Sequence, residues 1–199
     1  MEEDVVSVRE YLYSLRYYLL FVCILFALAV CIGYFEFYSE VFSESLEWLE
    51  QLSEGIEDLT ELYSSWVIFL MFFVVIFLNN AFTCLLNILT GPLLGIFPIF
   101  STLINGGLLG WLAHEEGLIV FLAIVPHGMF ELPAYFISLA IGLRLAREAL
   151  RPKAERQLKL KLGEGLRFYL RLILPLLFIA ALIESALIVI GILLMPSLT

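Results

Sequence analysis

The sequence predicts an all-α protein: a polytopic bundle of about five transmembrane helices, some of them broken or kinked. Of its 199 residues, 62% are hydrophobic and only 16% are charged, far more apolar surface than a soluble domain of this size needs. All eleven Lys and Arg residues fall in two short stretches, whereas the interval 36–61 holds nine acids and no base. A bilayer enforces this kind of charge sorting.

Five apolar runs approach or exceed the roughly 20 residues that cross a bilayer. They cover residues 17–37, 66–89, 93–112, 118–143 and 168–195. The second and fifth runs are long enough to tilt, and the third and fourth contain internal Gly and Pro. The whole chain, residues 1–199, is therefore expected to form a single integral membrane domain.

The basic residues predict an N-in, C-out orientation. Arg9 and Arg16 place the N-terminal segment 1–16 in the cytoplasm, and five crossings then put every other basic residue there too. A cleaved signal peptide ending near 27–29 is the competing interpretation of the first run. It is disfavoured because the run continues to Phe37 and the chain starts with acidic residues.

Two segments are expected outside the bilayer. Residues 38–65 form an acidic, extracytoplasmic amphipathic helix that packs on the protein itself, on a second copy or on a partner. The apolar stripe of this helix predicts a homodimer or larger membrane complex. The alternative for the segment is a solvated lid over the bundle. Its apolar positions are Phe42, Leu46, Leu49, Leu52, Ile56, Leu59 and Tyr63.

The second segment, 144–167, is basic and lies on the cytoplasmic side. Its pattern is typical of an interfacial helix that touches anionic membrane lipids, although the charges could also serve topology alone. The net charge of −9 gives no support for nucleic-acid binding.

Polar residues inside the predicted spans are costly in hydrocarbon, so they usually face the bundle interior. A rise of about 1.5 Å per residue places Asn79 and Glu131 about 20 Å deep, and Asn105 at about the level of His127. The sequence therefore predicts an intramembrane polar site in two layers, Asn79 and Asn80 with Glu131, and Asn105 with His127. Interhelical hydrogen bonding without further function is the alternative. The candidate residues are Asn79, Asn80, Asn105, His127, Glu131 and Glu184.

Helix breaks are expected where Gly and Pro interrupt the apolar runs. Free backbone groups at such breaks can bind ions or substrate. The spacings Gly91…Gly95 and Gly106…Gly110 also allow helices to approach closely. The expected break residues are Gly91, Pro92, Gly106, Pro126, Gly128 and Pro133.

An isolated ionised Glu131 is disfavoured in hydrocarbon, so it should be protonated, paired with His127 or hydrated. No cofactor is expected. The alternative is a divalent metal held by His127 and Glu131, with His114 or Glu184 completing the site. The three cysteines show no metal or disulfide spacing, and no nucleophile or phosphate-loop motif is present.

One combination of residues is specific. Asn79-Asn80, Gly91-Pro92, Asn105-Gly106, the stretch 126–134 (Pro-His-Gly-Met-Phe-Glu-Leu-Pro-Ala) and Gly142 together resemble the stage II sporulation protein M family, also called DUF95. The resemblance covers roughly residues 65–195. It implies a small multi-pass protein of a prokaryotic plasma membrane. In spore formers, the sporulation member resembles the anchor of a cell-wall hydrolase complex.

Two functions follow. The first is a non-enzymatic membrane scaffold or anchor for partner proteins. The second is a transporter or channel component that uses the polar site as an ion, proton or substrate path. An intramembrane metal-dependent hydrolase is a distant third.

The N-in, C-out orientation predicts opposite labelling of two engineered cysteines. In a variant without native cysteines, Thr199→Cys should react with an impermeant maleimide added outside intact cells, and Lys153→Cys only after lysis. Labelling of Thr199→Cys from the cytoplasmic side alone would refute this orientation.

Overall fold

The computed structural model describes residues 7–36, 63–117 and 119–194, and in these residues every regular element is helical. Five stretches are long and apolar enough to cross a membrane, which confirms the predicted multi-span helical bundle. Most of the acidic segment 38–65, including Leu49, Leu52 and Ile56, lies outside the described residues. The helices are α1 (Val8–Tyr34), α2 (Ser65–Leu89), α3 (Ile96–Glu115), α4 (Ile119–Ala149), α5 (Leu158–Phe168) and α6 (Leu174–Leu194).

Helix α1 begins at Val8, nine residues before the predicted span. Ser7 and Glu10 form a capping box: the Ser7 hydroxyl accepts from the Glu10 amide, and the Glu10 carboxylate accepts from the Ser7 amide, both at 3.2 Å. One turn later, Tyr11 is buried and stacks on Phe168, with ring centroids 3.7 Å apart. Residues 8–16 thus belong to the helix bundle.

Glycines bring α1 and α3 into backbone contact. A Cβ atom added to Gly33 would collide with the Gly107 carbonyl, and one added to Gly110 with the Val30 carbonyl. At Gly106 it would lie 2.9 Å from the Phe26 carbonyl oxygen. The predicted close approach at Gly106…Gly110 is therefore confirmed, and it holds α1 and α3 as a pair.

The predicted break at Gly91-Pro92 separates α2 from α3. Gly91 packs on the backbone of Gly142 in α4, so no side chain fits there. Gly95 ends the turn with φ of +69°, a left-handed conformation that favours glycine. Its amide donates to the Gly91 carbonyl at 2.9 Å. The second glycine pair thus shapes a tight turn that seats on α4.

At the other expected positions the helices are not interrupted, so of the two sequence alternatives, a break or a kink, the break does not occur. Helix α4 continues through Pro126, Gly128 and Pro133, and α3 continues through Gly106. A proline in a transmembrane helix is tolerated where neighbouring helices and local adjustments compensate for the lost hydrogen bond. The α-helical hydrogen-bond pattern changes instead at the π-helical turn Tyr169–Ile173, which joins α5 to α6. Pro175 follows this turn and has no N–H to donate.

The second half of α4 forms the core of the bundle. Ala134, Leu139, Ala140 and Ile141 are all fully buried, and α4 packs against α1, α2, α3 and α6. The position of every site described below is therefore fixed relative to α4.

Contacts between distant segments show which helix ends lie together. Arg144 donates to the Ser14 hydroxyl at 3.4 Å, and Arg147 donates to the Tyr18 hydroxyl at 3.3 Å. At the other end of α1, Glu36 contacts His114 at 3.2 Å. Both basic stretches thus share one end of the bundle, while the assignment of that end to the cytoplasm stays a prediction.

The glycine contact between α1 and α3 predicts a position-specific cost. Gly110→Ala should push the helices apart and lower the free energy of unfolding by about 1–3 kcal/mol, as overpacking does. Thermal unfolding in detergent would measure the loss.

Gly191→Ala in α6 is the matched control, because a Cβ there meets no atom within 4 Å. It should be neutral or slightly stabilising. Equal effects of both substitutions would contradict the assigned role of Gly110.

Candidate functional site

A cavity of about 450 Å³ lies between the helices, and all six candidate polar residues line it. They come from four helices: Asn79 and Asn80 from α2, Asn105 from α3, His127 and Glu131 from α4, and Glu184 from α6. Most of the apolar wall consists of Phe26, Leu109, Ile124, Leu132 and Leu177. Residues far apart in sequence are thus gathered round one space inside the bundle.

Three of these residues form a close cluster. His127 and Glu131 are one turn apart on α4, which aligns them on one face, and Glu184 approaches from α6. One nitrogen of His127 and one carboxylate oxygen of each glutamate lie within 4.8 Å of one another. All three side chains are partly buried. His127 Nδ1 is shielded from solvent and has no hydrogen-bond partner among the described residues.

Asparagines of α2 border this cluster. The Asn80 side chain lies beside the Glu131 carboxylate on the wall of the cavity. Asn79 donates in turn to the Asn80 carbonyl oxygen at 3.4 Å. The structure therefore brings Asn79, Asn80 and Glu131 to one side of the same cavity, while their depth in the membrane stays a prediction.

Asn105 has different partners from the one expected. Its amide donates to the Tyr135 hydroxyl at 3.1 Å and to the Ser101 carbonyl at 2.9 Å, rather than to His127. The Ser101 and Tyr135 hydroxyls are 2.7 Å apart. Tyr135 is thus a central polar residue of the cavity that sequence reasoning missed, because an aromatic residue in an apolar run gives no polar signal.

Asn87 illustrates the structural alternative. It is fully buried and donates to the Ser138 hydroxyl at 3.1 Å, which links α2 to α4. Asn87 is not among the residues that line the cavity. Interhelical hydrogen bonding accounts for its amide nitrogen, whereas its Oδ1 is buried without a hydrogen-bond partner among the described residues.

The cavity has the ligands for a cation but lacks a basic counterion. Among the described residues that line it there are two carboxylates and one imidazole, and neither Lys nor Arg. His114, considered from sequence as a further ligand, lies instead beside Glu36 in an exposed group. The candidate ligands are therefore His127, Glu131 and Glu184, and the side-chain amides of Asn79 and Asn80 line the same cavity.

The cavity is not sealed. Asn79 and Asn105 line it, and both residues are exposed. The cavity is therefore accessible from the surface of the bundle.

The comparison with protein families agrees with this arrangement. The family model for stage II sporulation protein M matches residues 20–187, most of the chain. The chain belongs to the stage II sporulation protein M family. The match runs from α1 to α6 and contains every candidate residue of the cavity.

Relatives add little to the family assignment. The chain is 35% identical over 66 residues to an uncharacterized protein of Methanocaldococcus jannaschii. That match covers 33% of this chain and 29% of the relative. No solved structure matches this member of the sporulation protein M family. The chain is thus a multi-pass membrane protein of this family, and its cavity has to be interpreted from its own chemistry.

The Tyr135 hydroxyl predicts a measurable contribution to stability. Tyr135→Phe removes its contacts with Ser101 and Asn105 and should lower the free energy of unfolding by about 0.5–1.5 kcal/mol, typical for hydrogen bonds inside membranes. Unfolding in detergent would measure this change.

Tyr13→Phe is the control, since Tyr13 is 65% exposed. It should leave stability unchanged. A Tyr135→Phe protein as stable as the wild type would show that these hydrogen bonds contribute nothing.

Proposed function

We propose that this protein is a component of a membrane transport path that holds a cation in its intramembrane cavity. The observation that carries the proposal is the cluster of His127, Glu131 and Glu184, whose ligand atoms lie within 4.8 Å of one another. A proton and a metal ion are both cations that such a cluster can bind.

Charge compensation supports a cation. Two ionised carboxylates side by side in a poorly hydrated space repel each other and lose hydration, which is strongly unfavourable. The described residues that line the cavity include no Lys or Arg to offset Glu131 and Glu184. A bound proton or metal ion would supply the missing positive charge.

The ligand types define the class of metal. One imidazole and two carboxylates suit Zn²⁺ and related divalent transition metals, and three protein ligands leave a position open for water or exchange. His127 has a nitrogen that no hydrogen bond occupies, since its Nδ1 is shielded from solvent and has no partner among the described residues.

Access to the cavity favours transport over a purely structural core. A sealed polar core would serve a scaffold, whereas transport needs entry from outside the bundle. The exposed residues Asn79 and Asn105 line an opening. Their amides provide neutral polar groups that can replace water around an entering ion.

The second candidate is a non-enzymatic scaffold that anchors partner proteins. Membership of the sporulation protein M family and the acidic segment 38–65 support it. Both proposals place the chain in the plasma membrane of a prokaryote, as a homodimer or part of a larger complex, and neither assigns catalysis to it.

Flux into proteoliposomes tests the transport proposal. With pyranine and a Zn²⁺ indicator enclosed, the wild-type protein should accelerate entry of H⁺ or Zn²⁺ above the rate of protein-free liposomes. Glu131→Gln and Glu184→Gln should each lower that flux at least tenfold, because each removes a charge and keeps the side-chain shape.

Glu155→Gln is the matched control, since Glu155 is exposed and lies in the loop after α4. It should conduct like the wild type. If neither H⁺ nor Zn²⁺ enters faster than in protein-free liposomes, the transport proposal is contradicted and the scaffold becomes the better proposal.

A further inference from the structure

A second cleft, of about 590 Å³, lies at the basic end of the bundle. Residues from α1, α4, the following loop and α5 line it, so it forms only when these segments pack together. Its basic side chains are Arg16, Arg144, Arg147, Arg151 and Lys161. Glu148 is its single carboxylate among the described residues. The cleft shares no residue with the intramembrane cavity.

Three of the five basic side chains form ion pairs with carboxylates of the protein itself. Glu164 pairs with Lys161 at 2.9 Å and with Arg144 at 3.5 Å. Arg151 lies 3.6 Å from Glu148, which also accepts from the Gln157 amide at 2.7 Å. These pairs fix the wall of the cleft.

Arg16 and Arg147 differ from the other three. Within the described part of the chain, no carboxylate pairs with either guanidinium. Arg16 lies over the rings of Tyr13 and Tyr17, at 4.0 and 4.4 Å from their centroids, and Arg147 contacts the Tyr18 hydroxyl. Both arginines are exposed, so their charge is available to a ligand.

We propose that this cleft binds the phosphate of an anionic phospholipid headgroup. A guanidinium presents a planar fork of donors that matches phosphate oxygens, and two such groups from α1 and α4 line the same cleft. The Ser14 and Tyr18 hydroxyls add neutral donors to the wall. The excess of positive charge makes a zwitterionic headgroup a poorer ligand.

Position selects a lipid over a soluble phosphate. The cleft lies where the apolar part of α1 begins, and Tyr17 and Leu20 are exposed there at 69% and 59%. Aromatic side chains at this level are typical of the membrane interface, where phospholipid headgroups lie. Basic pockets between transmembrane helices recognise anionic headgroups in this way. Acyl chains of a bound lipid would lie along the exposed apolar face of α1.

Native mass spectrometry of the delipidated protein in detergent tests the proposal. Phosphatidylglycerol should be retained at least tenfold more strongly than phosphatidylcholine. The double variant Arg16→Gln/Arg147→Gln should remove most of this preference, because it deletes the two guanidinium groups that no carboxylate pairs with in the described part of the chain. The variant should fold normally, since both side chains are exposed, and an unchanged unfolding temperature without added lipid would verify this.

Lys153→Gln with Lys159→Gln is the matched control, which removes the same charge from exposed positions outside the cleft. It should keep the lipid preference. Equal retention of both lipids would overturn the proposal. An equal loss of preference in the control would overturn it in favour of diffuse surface attraction. Displacement of phosphatidylglycerol by millimolar glycerol 3-phosphate would show a site for soluble phosphates instead.

Discussion

The cost of an unpaired polar group in hydrocarbon is the constraint on which this structure depends. It explains why polar side chains of α2 and α3 meet those of α4, as in the pairs Asn87–Ser138 and Asn105–Tyr135. In each pair an asparagine amide nitrogen donates to a hydroxyl on α4, and the bond fixes a neighbouring helix on α4. Glycine contacts also fix neighbouring segments on α4, because the absence of a side chain lets the backbones of Gly91 and Gly142 touch.

The cavity is where this constraint is met incompletely. Glu131 has the Asn80 amide beside it. Its ionisable neighbours in the cluster are Glu184, which has the same charge, and His127. No ion pair within 4.0 Å joins His127 to Glu131 in the described part of the chain. A stability requirement alone would favour apolar or neutral residues here, because burying unpaired charge costs more than packing hydrocarbon. Asn87 is neutral, does not line the cavity and donates one hydrogen bond between helices. The reason for a functional proposal at the cavity is therefore the pair of carboxylates that line it.

The spans and the polar residues could be predicted from the sequence because hydropathy, charge sorting and helix rise are local properties. They placed Asn79, Asn80 and Glu131 at one depth, and the structure puts these residues round the same cavity. The start of α1 was missed although the capping box at Ser7 and Glu10 is visible in the sequence. That signal lies outside the apolar run that defined the span.

Of the expected break or kink at residues 126–128, the break does not occur, and the reason lies in packing. Pro126 and Pro133 are local breakers, but packing against other helices maintains α4 on both sides of them. Because Pro126 and Pro133 have no N–H, the carbonyls of Leu122 and Met129, four residues earlier, lack their usual hydrogen-bond donors. Residues two apart on a helix do not share a face, so the Met129 side of α4 points away from Glu131. Side chains, rather than freed backbone groups, therefore provide the polar site.

Which helix faces meet could not be predicted, because the partners of a polar group depend on packing. Asn105 was expected beside His127, since both lie at a similar depth. The glycine contact between α1 and α3 and the burial of Tyr135 determine its orientation instead, and it donates to Tyr135. Depth gives one coordinate of a residue in a bundle, and the rotation of each helix gives the other.

The two proposed sites are separated along α4 in a way that constrains any transport mechanism. Glu131 and Arg147 are sixteen residues apart on this continuous helix, about 24 Å along its axis. Between them, Leu139, Ala140 and Ile141 are fully buried against the other helices. The cavity therefore does not continue through the core to the basic end. Passage of an ion to that end would require the packing of this middle segment to open, whereas a scaffold would keep it closed.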